Sequence, residues 1–355
     1  MTKNSLYLVC ALAIQALACK GPASTAGRES GDTTIITPLY ITEPVSADSD
    51  DPAIWINKKD PAQSLVIGTD KDANGALYVF NLQGKIQHDK VVKGLKRPNN
   101  VDLAYNLSLN GKPVDIAVTT ERMTHRLRVF SLPNMQPVDN GGIEVFQGET
   151  LPEYRDLMGI ALYTSKTGKI YAIVGRKTGP LDGSYLWQYQ LEDDGTGHVK
   201  ASLVRKFGKY SGKKEIEAIA VDNELGYIYY SDEQFGVRQY FADPEKGNEE
   251  LAVFGATGFS DDHEGISIFK ATDSTGYILV SDQGSNRFQV FSRQGTTQNP
   301  YEHNLIKIVN VKATRSDGSD VTNLPLNKDF QHGLFVAMSN DKTFHFYRWE
   351  DLGIR

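Results

Sequence analysis

Short apolar runs alternate with polar turns along this chain, and no window holds the 3.6-residue period of an amphipathic helix. One run recurs: an apolar strand ending in small or polar residues, at 65–70, 115–120, 171–176, 227–232, 277–282 and 334–339, so the starts lie 50–57 residues apart. A second β-rich segment follows each, such as Tyr78-Val79-Phe80, Arg128-Val129-Phe130 and Gln289-Val290-Phe291. A third precedes five of them, at 51–56, 100–104, 158–162, 217–221 and 264–268. In four of these a small residue (Ala53, Gly159, Ala218, Gly265) stands ahead of the apolar run, as expected where strands crowd around an axis. Solenoid units are shorter, and a sandwich keeps no fixed period. The pattern predicts an all-β fold, a six-bladed β-propeller with a central channel.

The first 40 residues follow a different pattern. Lys3 is followed by an apolar run over 6–14, then Ala16-Leu17-Ala18-Cys19, which is too short to span a membrane and reads as an export signal. Cys19 in that setting resembles a lipid-accepting cysteine; the alternative is an ordinary signal peptide cut near Ala18. The expected organisation is a signal peptide at 1–18, a lipidated N-terminus and flexible tether at 19–40, and the propeller at 41–355. The product would be exported, either as a cell-envelope lipoprotein or secreted, touching a membrane only through Cys19 and acting as a monomer.

Composition narrows the chemistry. The only cysteines are Cys10 and Cys19, so the folded part has no disulfide, no thiolate zinc site and no thiol nucleophile. Seven histidines show no paired metal-ligand spacing, and there is no Arg-His pair for a histidine phosphatase. A net charge of −6 argues against a nucleic-acid partner.

Acids and amides repeat at the start of the inner strands: Asp50, Asp51, Asn100, Asp102, Glu217, Asp262 and Glu264. In a propeller such positions form a ring at one channel mouth. Clustered carboxylates need compensation, and oxygen-only ligands in a flexible cage suit Ca²⁺. Cations recur in the loop after the second strand: Lys71, Arg122, and Arg176 with Lys177. Cations beside an acidic ring fit a polyanionic ligand, phosphate foremost.

The segments Asp50-Asp51-Pro52-Ala53-Ile54-Trp55, Asn99-Asn100-Val101-Asp102-Leu103, Asp262-His263-Glu264-Gly265 and Ser281-Asp282-Gln283-Gly284 resemble the β-propeller phytases, over about 41–352. These are secreted, calcium-dependent bacterial 3-phytases. The resemblance implies a phosphomonoester hydrolase that releases phosphate from myo-inositol hexakisphosphate by direct attack of water held by several Ca²⁺ ions. It implies metal ligands at Asp50, Asn100, Asp102, Glu217, Asp262, Glu264, Gln283 and Asp317. Substrate contacts would come from Asp51, Lys71, Arg122 and Lys177, with Arg176 beside them. Catalysis would rest on Glu217, Glu233, Lys71 and Arg122. The chain departs from the family at Ala47, Ala104, Met158 and Asn323. Two other readings remain: a calcium-bearing six-bladed lactonase or esterase, and a non-catalytic propeller that binds a surface partner.

Overall fold

The computed structural model describes residues 34–354, together with Met1. Cys10, Cys19 and the expected signal segment lie outside these residues. Among the described residues helix is confined to 3-10 turns of three or four residues, and no helix is long and apolar enough to cross a membrane.

Six sheets of four or five strands form the six blades, each running antiparallel and in chain order from its inner strand outward, except for the strands from the start of the chain that edge blades 5 and 6. The inner strands are Ser49–Trp55, Pro98–Leu109, Leu157–Thr164, Ile219–Asp222, His263–Lys270 and Ser319–Thr322. The middle strands are rich in apolar residues and deeply buried for a physical reason. Leu65–Asp70 and Gly75–Phe80 are buried at every position because a neighbouring blade covers each face. Outer strands such as Val199–Phe207 bury only some of their positions.

Each junction between adjacent blades carries its own apolar core, and the described residues form six such clusters. Ile116 and Val118 of blade 2 meet Ile160 and Leu162 of blade 3 in one of them. Val66 and Phe80 of blade 1 meet Val336 and Phe344 of blade 6 in another, which closes the ring. Backbone pairing closes it as well: Tyr40–Ile41 supplies the outermost strand of blade 6, opposite Phe346 and His345. Ile35–Ile36 adds a parallel strand to blade 5. These two strands lie within 19–40 or at its border, where the sequence suggested a tether.

Hydroxyls near the ends of the second strands lock blades 2, 4 and 5 to the blade that follows. Thr120 Oγ1 donates to the Met158 carbonyl at 2.7 Å, Ser231 Oγ to Glu264 at 2.8 Å and Ser281 Oγ to Ser316 at 2.7 Å. The small or polar ending of the sequence repeat is therefore a blade-to-blade latch. Near the axis the packing is tight. A methyl group on Gly159 would collide with the Glu217 carbonyl, which explains the small residue there.

Candidate active site

Four inner strands carry a register shift near their first residues: between Ser49 and Pro52, Pro98 and Val101, Leu157 and Ile160, and His263 and Ile266. A bulge re-aims side chains. Here it lies at Asp50-Asp51, Asn99-Asn100, Met158-Gly159 and Glu264-Gly265, at the channel mouth. In blades 1, 4 and 5 the acid that ends the second strand braces the loop leading into the site. Asp70 accepts from the Asp48 amide at 2.7 Å, Asp232 from the Ser211 amide at 2.8 Å and Asp282 from the Ser260 amide at 3.0 Å.

Loops from blades 1, 4, 5 and 6 bring the acids together. Carboxylate oxygens of Glu217, Glu233 and Glu264 lie within 4.8 Å of one another, and all three residues are buried. The Lys71 ammonium contacts Asp50 directly and stands 3.7 Å from both Glu217 and Asp317. Gln283 donates to Asp317 and accepts from Arg315 at 3.3 Å. Asp262 accepts from Gln234 at 3.0 Å and contacts the Lys214 ammonium. Asn99, quoted in the sequence motif without a role, donates to Glu217 at 3.3 Å.

Burial governs the electrostatics of this mouth. It pushes Glu233 up to about 8 against the opposing pull of Lys214. It also raises Asp50 and Glu264 well above the ordinary carboxylate range, with Glu217 as a further cause for both. Asp317 rises to about 6, through burial first and Glu217 next. Several of these buried oxygens have no hydrogen-bond donor: Asp50 Oδ2, Glu233 Oε1, Glu264 Oε2 and the Asn100 side-chain oxygen. An oxygen-only set with vacant lone pairs and excess negative charge fits a hard cation such as Ca²⁺.

Arg122 stands on the same mouth, across from the acids. Its guanidinium donates to the Leu157 carbonyl at 3.0 Å and touches the Met158 sulfur. Burial, then Arg97, lowers its pKa. No carboxylate lies within ion-pair distance of it among the described residues. Lys177 is half-exposed, 3.7 Å from Glu215 at the rim.

Three expected site residues lie elsewhere. Arg176 is a correction: its guanidinium is fully buried inside blade 3, bonded to Tyr185, Ser184 and Tyr154 carbonyls and to Glu149 at 2.8–3.0 Å. With every donor direction turned inward, it has nothing left for a substrate. Asp51 and Asp102 line the axial cavity of about 200 Å³. Asp51 accepts from the Val101 amide at 3.0 Å and Asp102 from the Leu162 amide at 2.6 Å, so each ties its blade to the next. Asp320, outside the expected set, ties blade 6 to blade 1 through Ile54 at 2.7 Å.

A ring of six blades with buried carboxylates and cations gathered at one mouth defines the class, a β-propeller with a charged site at one end of its channel. The family model for phytase matches residues 5–345, and the chain belongs to the phytase family. It is similar to the 3-phytase of Bacillus subtilis (strain 168), at 30% identity over 332 residues, covering 88% of this chain and 82% of that protein. A chain from the crystal structure of a mitotic checkpoint complex superimposes with a TM-score of 0.49 at 10% identity, covering 95% of this chain and 99% of that one; a likeness this loose bears on neither fold detail nor function.

Proposed function

We propose that this phytase releases phosphate from myo-inositol hexakisphosphate with the help of calcium, at the mouth built by Asp50, Glu217, Glu233, Asp262, Glu264 and Asp317. One observation carries the reading: buried carboxylate oxygens without donors face an unpaired arginine across the same opening. A mouth this acidic repels a polyanion, so the ester can enter only after the carboxylates are neutralised. Calcium bound there would cancel their charge, draw the phosphoryl oxygens in and make a nearby water more nucleophilic.

The chain's own residues then divide the work. Arg122 holds a phosphoryl oxygen through the guanidinium edge that no protein group occupies, and it stabilises charge there in the transition state. Lys71 supplies a second positive charge. Lys177 grips an outer phosphate from the rim. Glu233 and Glu217 orient the attacking water, and Glu233 accepts its proton once bound cations have drawn its own proton off and left it ionised. Asn99 keeps the Glu217 carboxylate in place. Asp51 and Asp102 are assigned to holding the channel wall rather than the substrate. Export as a monomer, with lipid on Cys19 or after cleavage near Ala18, completes the proposal and rests on the sequence.

The test is phosphate release from inositol hexakisphosphate before and after exhaustive chelation. Chelation is expected to abolish release, and Ca²⁺ to restore it better than Mg²⁺. Full activity in chelator would refute the calcium mechanism.

A further inference from the structure

Lys214 is a cation the sequence did not single out. It sits in the run Lys213-Lys214-Glu215, which reads as an ordinary solvated loop. In the fold its ammonium stands 2.9 Å from Glu233 Oε2 and contacts Asp262 directly. Glu233 is one of the three buried glutamates whose oxygens converge. The ammonium thus bridges two carboxylates, Glu233 at only 1% side-chain exposure and Asp262 at 5%. Its side chain is 39% exposed, which leaves room to swing outward. Lys213, next to it, points away: its ammonium donates to the Gln234 carbonyl at 2.9 Å and lies 5.5 Å from the Phe235 ring.

We propose that Lys214 is a tethered counter-ion that occupies one cation position of the acidic mouth and competes with calcium for Glu233 and Asp262. This rests on the calcium reading above. Lys214 holds Glu233 Oε2 and Asp262 Oδ2, so calcium must displace the ammonium before it can use those two oxygens. The lysine thereby sets the calcium concentration at which the site fills. At low calcium it caps the negative cluster and stabilises the fold; at high calcium it is expelled toward solvent. Lys71 does not play this part, because its side chain is only 13% exposed and its ammonium is ringed by Asp50, Glu217 and Asp317, with little room to leave.

The experiment is a calcium titration of the full chain, read by calorimetry and by the melting temperature, with no substrate present. Lys214→Met keeps the stem and removes the charge. It is expected to lower the half-saturating calcium concentration by about tenfold, the order set by removing one competing unit charge at a partly screened site. Lys214→Arg keeps the charge and should stay within about twofold of wild type. Lys213→Met changes the net charge equally but touches no carboxylate, and should also stay within about twofold. Equal calcium affinity in wild type and Lys214→Met overturns the proposal, as does an equal shift in Lys213→Met. Absence of calcium binding in every variant, wild type included, brings down the calcium reading and this inference with it. If Lys214→Met melts early without calcium yet binds calcium more tightly, the counter-ion role stands, since loss of the cap predicts both.

Discussion

Arg122 has only 9% of its surface exposed and, among the described residues, no carboxylate within ion-pair distance, although Glu217, Asp50 and Glu215 attract it from farther off. A buried cation without a partner is a cost that folding alone does not explain. Its sulfur neighbour Met158 is a poor acceptor, so the guanidinium is left open to an anion. Arg122→Leu is therefore expected to leave the melting temperature unchanged or slightly higher. The same change removes a charge-assisted contact worth about 1.5–3 kcal/mol, so kcat/KM for phosphate release should fall roughly 10- to 150-fold. A drop in stability to match the drop in activity would make Arg122 a structural residue. Glu217 behaves differently. Glu217→Gln removes a negative charge from the cluster and should reduce kcat by more than Arg122→Leu does, while Glu245→Gln, in an exposed turn far from the mouth, should change nothing. Steady-state kinetics at saturating calcium separate the three. At this scale the sequence was informative where a residue repeats from blade to blade, as with Lys71 and Arg122. It misled at Arg176, because a cation in the corresponding loop can turn into the blade as readily as out of it.

At the scale of the element, the middle strands were readable because blades cover both of their faces, which gives a short apolar run closed by small or polar residues. The inner strand of blade 6, Ser319–Thr322, escaped notice because it is four residues long and mostly polar. The closing strand Tyr40–Ile41 escaped for the same reason, having only two residues and its partner some 300 positions away. The bulges were invisible too, since a register shift leaves no mark on composition, yet they aim Asp50, Asn99 and Glu264 into the mouth. The inner strands of blades 3 and 4 meet where Gly159 passes the Glu217 carbonyl. Gly159→Ala should force these strands apart, cost about 1–3 kcal/mol as an overpacked contact, and displace Glu217. Thermal unfolding and kcat are expected to fall together. An unchanged melting curve with normal turnover would mean that the strands have slack the packing does not suggest.

For the whole molecule, the acids of the channel and mouth make stability depend on pH in an uncommon direction. Burial raises Glu233 to about 8, Asp102 to about 7, and Asp317 and Asp320 to about 6. In the unfolded chain these groups titrate near 4. Between roughly pH 4 and pH 8 the fold therefore holds protons that the unfolded chain has released, so stability falls as pH rises through this window. A salt-bridged carboxylate, with its pKa lowered, would give the opposite slope. Calcium changes the balance because it binds the ionised oxygens of the native ring and not the unfolded chain, and it displaces their protons. The melting temperature of chelated protein should thus decline steadily from pH 5 to pH 8. Saturating calcium should raise it at every pH, with the largest gain at pH 8, where the fewest protons have to leave. A melting temperature in chelator that rises across this range would show that the carboxylates are already compensated within the fold, and the case for a cation at the mouth would lose its physical basis.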